Sequence, residues 1–186
     1  MVGRSRSVLV VALALVAGCS MGTPPDVTTP SSTPPAAPPP RASPTPSADE
    51  LAGQEALAAY RGMWEDFVVA GTTSDWQSAE LGRHATGVAL TNLSRGLYAD
   101  SANGLVTRGE PLLSPEVSSV EPVDAPVRVV VTDCGDSTNW LKYREEDDSL
   151  ATEGPGGRRL INAVVERQSD GSWKVSDYGV QELGSC

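Results

Sequence analysis

The chain has 186 residues and is acidic: 24 Asp and Glu against 14 Lys and Arg give a formal net charge of −10. That balance excludes a basic patch for nucleic acid or anionic headgroups as the working surface of the folded part. With one histidine and no Cys-x-x-Cys pair, the residues offer no zinc site and imply no cofactor.

The chain opens with Arg4 and Arg6, then an uninterrupted apolar run from Val8 to Ala17. About ten apolar residues suit the h-region of a secretion signal and fall short of the ~20 that span a bilayer. The competing reading, a buried core segment, fits poorly behind two arginines and ahead of Pro-rich sequence. Val16-Ala17-Gly18-Cys19 closes the run and resembles the lipobox of bacterial lipoproteins. That resemblance implies diacylglyceryl transfer to the Cys19 thiol, cleavage before it, and membrane attachment through the lipid. Residues 1–18 are then a lipoprotein signal peptide, and the protein sits on the extracytoplasmic face of the cell membrane.

Residues 19–47 carry Thr, Ser, Ala and ten of the fifteen prolines, with almost nothing to bury. This is the composition of a disordered tether with polyproline II character. A PxxP ligand is the other reading of the same stretch. With Cys19 assigned to lipid, Cys134 and Cys186 remain as an even pair for an oxidising compartment. They either form a bridge or stay as two unrelated thiols.

Folded sequence is expected over 48–186. Ser47-Ala48-Asp49-Glu50 is a capping box ahead of Leu57, Tyr60, Trp64, Phe67 and Val68, which recur at helical spacing until about Gly71. A second helical region from about Ser78 to Asp100 carries Leu81, Ala85, Ala89, Leu93 and Leu97 on one stripe, with a break expected near His84 to Gly87. Asn103-Gly104 marks a turn, after which the apolar period becomes two. Strands are expected over Leu105–Glu110, Val117–Val123, the alternating run around Val127, Val129 and Val131, Trp140–Arg144, Leu160–Gln168 and Trp173–Tyr178. Pro111, Pro115 and Pro122 push at least one of these to a sheet edge. Asp170-Gly171 joins the last two as a hairpin, and Glu145–Gly157 is a loop. Helices followed by an antiparallel sheet define an α+β class with one core.

At this length that order resembles the cone-shaped NTF2-like fold. From Tyr60 to Cys186 the chain is similar to uncharacterised secreted lipoproteins of actinobacteria. The features in common are YRGMWEDF in the first helix, RHATGVAL in a later one, an Asp-Cys-Gly-Asp turn at Asp133–Asp136, the hairpin around Asp170 to Val175, and a terminal cysteine. The resemblance implies a curved antiparallel sheet but no particular chemistry, because such folds host enzymes and plain binding modules alike.

The candidate pocket residues are Tyr60, Trp64, His84, Asp133 and Asp177. As an enzyme of the isomerase or cyclase type, the protein would use His84 as general base with Asp133 or Asp177 beside it. The plainer reading leaves His84 hydrogen-bonded at a helix end. Asp133, Asp136 and Asn139 do not match the spacing of a calcium loop, and a disulfide-held turn accounts for them. Trp64, Trp76, Trp140 and Trp173 either line a ligand site or pack the core of a chain with one Phe. Asn92-Leu93-Ser94 is an N-x-S triplet inside a predicted helix. The reading that emerges is a lipid-anchored, non-catalytic binding or assembly domain for a small apolar ligand or a protein partner.

Replacing Cys19 by Ala is expected to abolish palmitate labelling and either release the protein or leave its leader uncleaved. The intact mass of the membrane-derived protein should begin at Cys19 and include acyl chains. An unmodified mass starting elsewhere would overturn the lipid assignment.

Overall fold

A computed structural model of the chain describes residues 45–186 other than 152, 153 and 155. The expected signal peptide, Cys19 and most of the expected tether lie outside the described residues. Helix α1 spans Ala48–Gly71, α2 Leu81–His84 and α3 Gly87–Ala102. Strands follow as β1 (Leu105–Arg108), β2 (Glu116–Glu121), β3 (Arg128–Asp136), β4 (Leu141–Arg144), β5 (Arg158–Arg167) and β6 (Trp173–Val180). Helices first and antiparallel strands second is the α+β order expected. Among the described residues no helix is long and apolar enough to cross a membrane.

Helix α1 starts where its capping box places it, with the Ser47 backbone N–H donating to the Glu50 carboxylate at 2.8 Å. The second helical region breaks as anticipated, and Gly87 opens α3 at φ +54°, a backbone angle that favours glycine. All five residues of its predicted stripe, Leu81, Ala85, Ala89, Leu93 and Leu97, are buried. The Thr86 N–H donates to Val175 O at 2.9 Å, which ties the break between α2 and α3 to β6.

Strands β2-β3-β5-β6 form one antiparallel sheet in that order, and β1 pairs with β4 in a second, two-stranded one. The proline-flanked β2 is an edge strand, as Pro115 and Pro122 require. β3 begins at Arg128 and leaves Val127 exposed, so the inward stripe is Val129, Val131, Asp133 and Gly135. On β5 it is Arg159, Ile161, Ala163 and Val165, since Gly135 faces Arg159 and Val131 faces Ala163 across the ladder. Helix α1 lies over this face and touches all four strands. Apolar residues from α1, α3 and the sheet close into one core.

Bulges interrupt the β2–β3 ladder at Val117/Ser119 and the β5–β6 ladder at Val164/Val165. The second has a direct consequence for side-chain direction. Before it, Trp173 and Val175 point into the core; after it, parity switches, so that Tyr178 faces Ala163 and Val180 faces Ile161 on the same inner side. The hairpin between β5 and β6 turns on Asp170-Gly171 with Gly171 at φ +89°.

One local expectation is corrected. Asp133-Cys134-Gly135-Asp136 is not a turn but the last four residues of β3, paired to Asp136↔Arg158. Gly135 serves close packing, because a Cβ there would lie 2.8 Å from Ile161 Cδ1. Cys134 faces outward and bonds Cys186, with Cα atoms 5.9 Å apart. The bridge fastens the C-terminal tail beside β5, where Gln181 N–H donates to Leu160 O and Gly184 N–H to Arg158 O.

The bridge spans 52 residues. In the chain-entropy model, removing it with Cys134→Ser and Cys186→Ser is expected to cost about 4 kcal/mol of stability. Denaturant unfolding of the full chain checks this. A midpoint unchanged by the double substitution or by reductant would remove the bridge from the account.

Candidate functional site

The core stripe of β3 ends at Gly135, which adds no side chain of its own and is packed over by Ile161 and Leu113. A cleft of about 360 Å³ opens there. Its apolar wall is aromatic, built from Trp64 and Phe67 of α1, Trp140 before β4, and Tyr178, which the β6 bulge turns inward. These rings meet edge to face: Trp64–Trp140 at 5.9 Å, Phe67–Trp140 at 5.6 Å and Trp64–Tyr178 at 5.7 Å between centroids. Such pairs contribute roughly 0.5–1.5 kcal/mol each beyond their burial, which holds the wall rigid. Leu113 and Ile161 complete it.

The polar side of the cleft comes from Ser137, Thr107, Asp100, Lys142 and Arg159. Lys142 faces Thr107 across the β1–β4 ladder and donates to the nearly buried Asp100 carboxylate. Arg159 donates to Gln181 O in the tail at 3.0 Å. The indole N–H of Trp140 is buried and meets no acceptor among the described residues. That of Trp64 lies toward the Tyr60 phenol, outside hydrogen-bond geometry.

The structure separates the residues singled out from sequence. Of the five candidates, Trp64 lines this cleft. Tyr60 is fully buried beneath it and donates to Asp133 at 2.9 Å. Asp133, also buried, accepts a second bond from the Ser114 N–H at 2.7 Å. This pair is a structural tie between α1 and β3 and leaves Asp133 without a place beside His84. Burial, and secondarily the Asp133 charge, pushes the Tyr60 phenol well above the ordinary tyrosine value. Asp177 is exposed on β6, opposite Val164.

His84 meets neither expected carboxylate. Its Nδ1 lies 2.7 Å from Oδ2 of buried Asp66, and its ring rests on the α1 backbone at Gly62. Any Cβ at position 62 would sit 2.6 Å from that ring, so glycine permits the approach. Arg83 flanks the pair, 4.0 Å from Asp66 and bonded to Glu80. This cluster is outside the aromatic cleft. Trp173 packs in the core, and Trp76 stacks edge-on against Tyr98 at the surface. Among the described residues no group of His, Cys, Asp and Glu is arranged to hold a metal ion.

Sequence reasoning missed Arg159, Lys142 and Asp100. The signal for Arg159 was present: it shares the parity of Ile161, Ala163 and Val165, which puts a cation on the core face of a strand.

No family model and no curated protein matches the chain. Among solved structures it is similar to the intermembrane space region of the chloroplast protein ARC6. That match has 14% identity and a TM-score of 0.43, covering 69% of this chain and 95% of the other. It is also similar to a protein of unknown function with a cystatin-like fold from Nostoc punctiforme, at 11% identity and TM-score 0.41 over 69% and 93%. A third is a ketosteroid isomerase-like protein from Erwinia carotovora atroseptica, at 11% and 0.38 over 68% and 92%.

Replacing Tyr60 by Phe leaves the buried Asp133 carboxylate one donor short and is expected to cost about 1–3 kcal/mol. The raised phenol also sets a pH signature. The unfolded chain ionises this group near pH ~10 while the fold keeps it protonated, so its contribution is whole below that pH and is lost as pH rises beyond it. Melting temperature followed from about pH 8 to 11 should fall less steeply in Tyr60→Phe than in wild type. Parallel curves would refute the assignment.

Proposed function

We propose that this chain is a lipid-anchored extracytoplasmic protein whose NTF2-like α+β domain binds a small apolar ligand in the aromatic cleft without transforming it. The observation that carries this is the placement of the rings. Four aromatic side chains from α1, the β4 approach and β6 converge on one opening, and the β6 bulge exists where it turns Tyr178 into that opening. A mostly apolar cleft of a few hundred Å³ with a few polar groups at one side has the character of small-molecule sites. The lipobox at Cys19 supports the membrane address, and the Pro-rich tether supports a domain held off the surface.

A catalytic reading rests on a different observation, the 2.7 Å contact between His84 and buried Asp66. A carboxylate on Nδ1 orients an imidazole so that the other nitrogen can exchange a proton. His84 does not line the cleft, however, so the groups that would bind and those that would react are apart. That separation favours binding without turnover.

Calorimetry of the full chain with 1-naphthaleneacetate and 1-naphthaleneacetamide is expected to show saturable, equimolar binding of at least one of them. Trp140→Ala should weaken that binding about tenfold, and His84→Ala should leave it unchanged. Binding indifferent to Trp140 would move the site elsewhere. Turnover of a small-molecule substrate that disappears on His84→Ala would replace the proposal with the catalytic reading.

A further inference from the structure

The cleft carries charge opposite to the rest of the protein. The chain is strongly acidic overall, yet the cleft is lined by two cations, Arg159 and Lys142, against one carboxylate, Asp100. Lys142 bonds that carboxylate, so the two largely neutralise each other. Arg159 faces no carboxylate among the described residues, and its one hydrogen bond to protein goes to a neutral carbonyl, Gln181 O. Its guanidinium therefore adds an uncompensated positive charge beside an apolar wall.

The strand register explains why that cation points into the cleft. Arg159 continues the inward stripe of Val165, Ala163 and Ile161, and the residue opposite it on β3 is Gly135, which offers no side chain. An arginine at the end of a core stripe, facing a glycine, has the cleft as the space its head can occupy. Arg158, of opposite parity, instead lies outward against Cys134 Sγ. The Gln181 carbonyl then holds the Arg159 head, and the disulfide at Cys186 holds the tail that bears Gln181. Four of the five guanidinium N–H donors remain after that bond.

We propose that the cleft selects small apolar molecules that bear a carboxylate or equivalent anionic head, with Arg159 as the group that recognises the head. The inference rests on the binding reading above and narrows its ligand class. The aromatic wall takes the apolar body, and the planar guanidinium pairs with two oxygens of a carboxylate. The acidic surface elsewhere repels such ligands, so the recognition is confined to the cleft.

The test uses a pair of probes of one shape and different charge, 1-naphthaleneacetate and 1-naphthaleneacetamide, titrated into the full chain by calorimetry. The acetate is expected to bind at least about tenfold more tightly than the amide. In Arg159→Gln that ratio should fall close to one through loss of acetate affinity, with a far-UV circular dichroism spectrum matching wild type showing that the variant is folded. Added salt should narrow the ratio in wild type and leave it unchanged in the variant. Equal affinities in wild type, or a ratio that survives Arg159→Gln, would overturn the anionic specificity and leave the cleft as a neutral apolar site. Failure of both probes to bind would overturn the binding reading itself.

Discussion

A single buried hydrogen bond sets where everything else in the domain can be. Tyr60 sits midway along α1, fully buried, and donates to Asp133 on the inner face of β3. A carboxylate buried to this depth must keep its donors, since leaving it short costs far more than the bond contributes when made. The helix is therefore fixed both in rotation and in sliding position over the sheet. With Tyr60 pinned, Trp64 comes one turn later on the same face and arrives where the sheet's stripe of side chains ends. Gly62, on the opposite side of the helix, meets His84. The cleft and the His84–Asp66 contact are both consequences of that one registration.

The cleft forms where two neighbouring strands end their apolar stripes at the same level. Gly135 ends the inner stripe of β3, and its partner Arg159 ends that of β5 with a polar head in place of an apolar one. The two-stranded β1–β4 pair stands beside the main sheet and contributes Thr107 and Lys142 to the opening. Only β6 adds a ring at this level, and it does so through a bulge that reverses side-chain parity after Val175. A regular ladder would have turned Tyr178 outward. The irregularity in the strand and the aromatic wall of the cleft are one feature.

Most of the element order was legible because it rests on local chemistry. The capping box, the stripe from Leu81 to Leu97, the break before Gly87 and the Asp-Gly hairpin each depend on residues within a few positions of one another. The bridge between Cys134 and Cys186 followed from counting thiols. What failed had a non-local cause. Asp-Cys-Gly-Asp has the composition of a turn, but β5 extends far enough to keep it in the ladder, and Gly135 answers to Ile161 from another strand. His84 is hydrogen-bonded at a helix end, as the plainer reading had it; only the enzyme reading matched it with carboxylates of the sheet, whereas its partner, Asp66, lies on α1 and is reached by the chain doubling back after Gly71. Tyr60 and Asp133 were both singled out for a pocket; they are instead the tie that holds one open.

Arg159 shows how a functional signal can hide inside a correct structural reading. Once Ile161, Ala163 and Val165 are taken as the inner face of a strand, position 159 belongs to that face by alternation alone. A charged residue there must reach water, a partner or a ligand, because the core cannot hold it unpaired. The fold offers it a neutral carbonyl from a disulfide-fastened tail and the mouth of an aromatic cleft. Among the described residues four cations, Arg83, Arg108, Arg128 and Lys142, have carboxylates within 4.0 Å, and Arg159 is not one of them. What sets Arg159 apart is its place, on the core face of β5 and in the lining of an aromatic cleft, and that place is what the proposed pairing with an anionic ligand rests on.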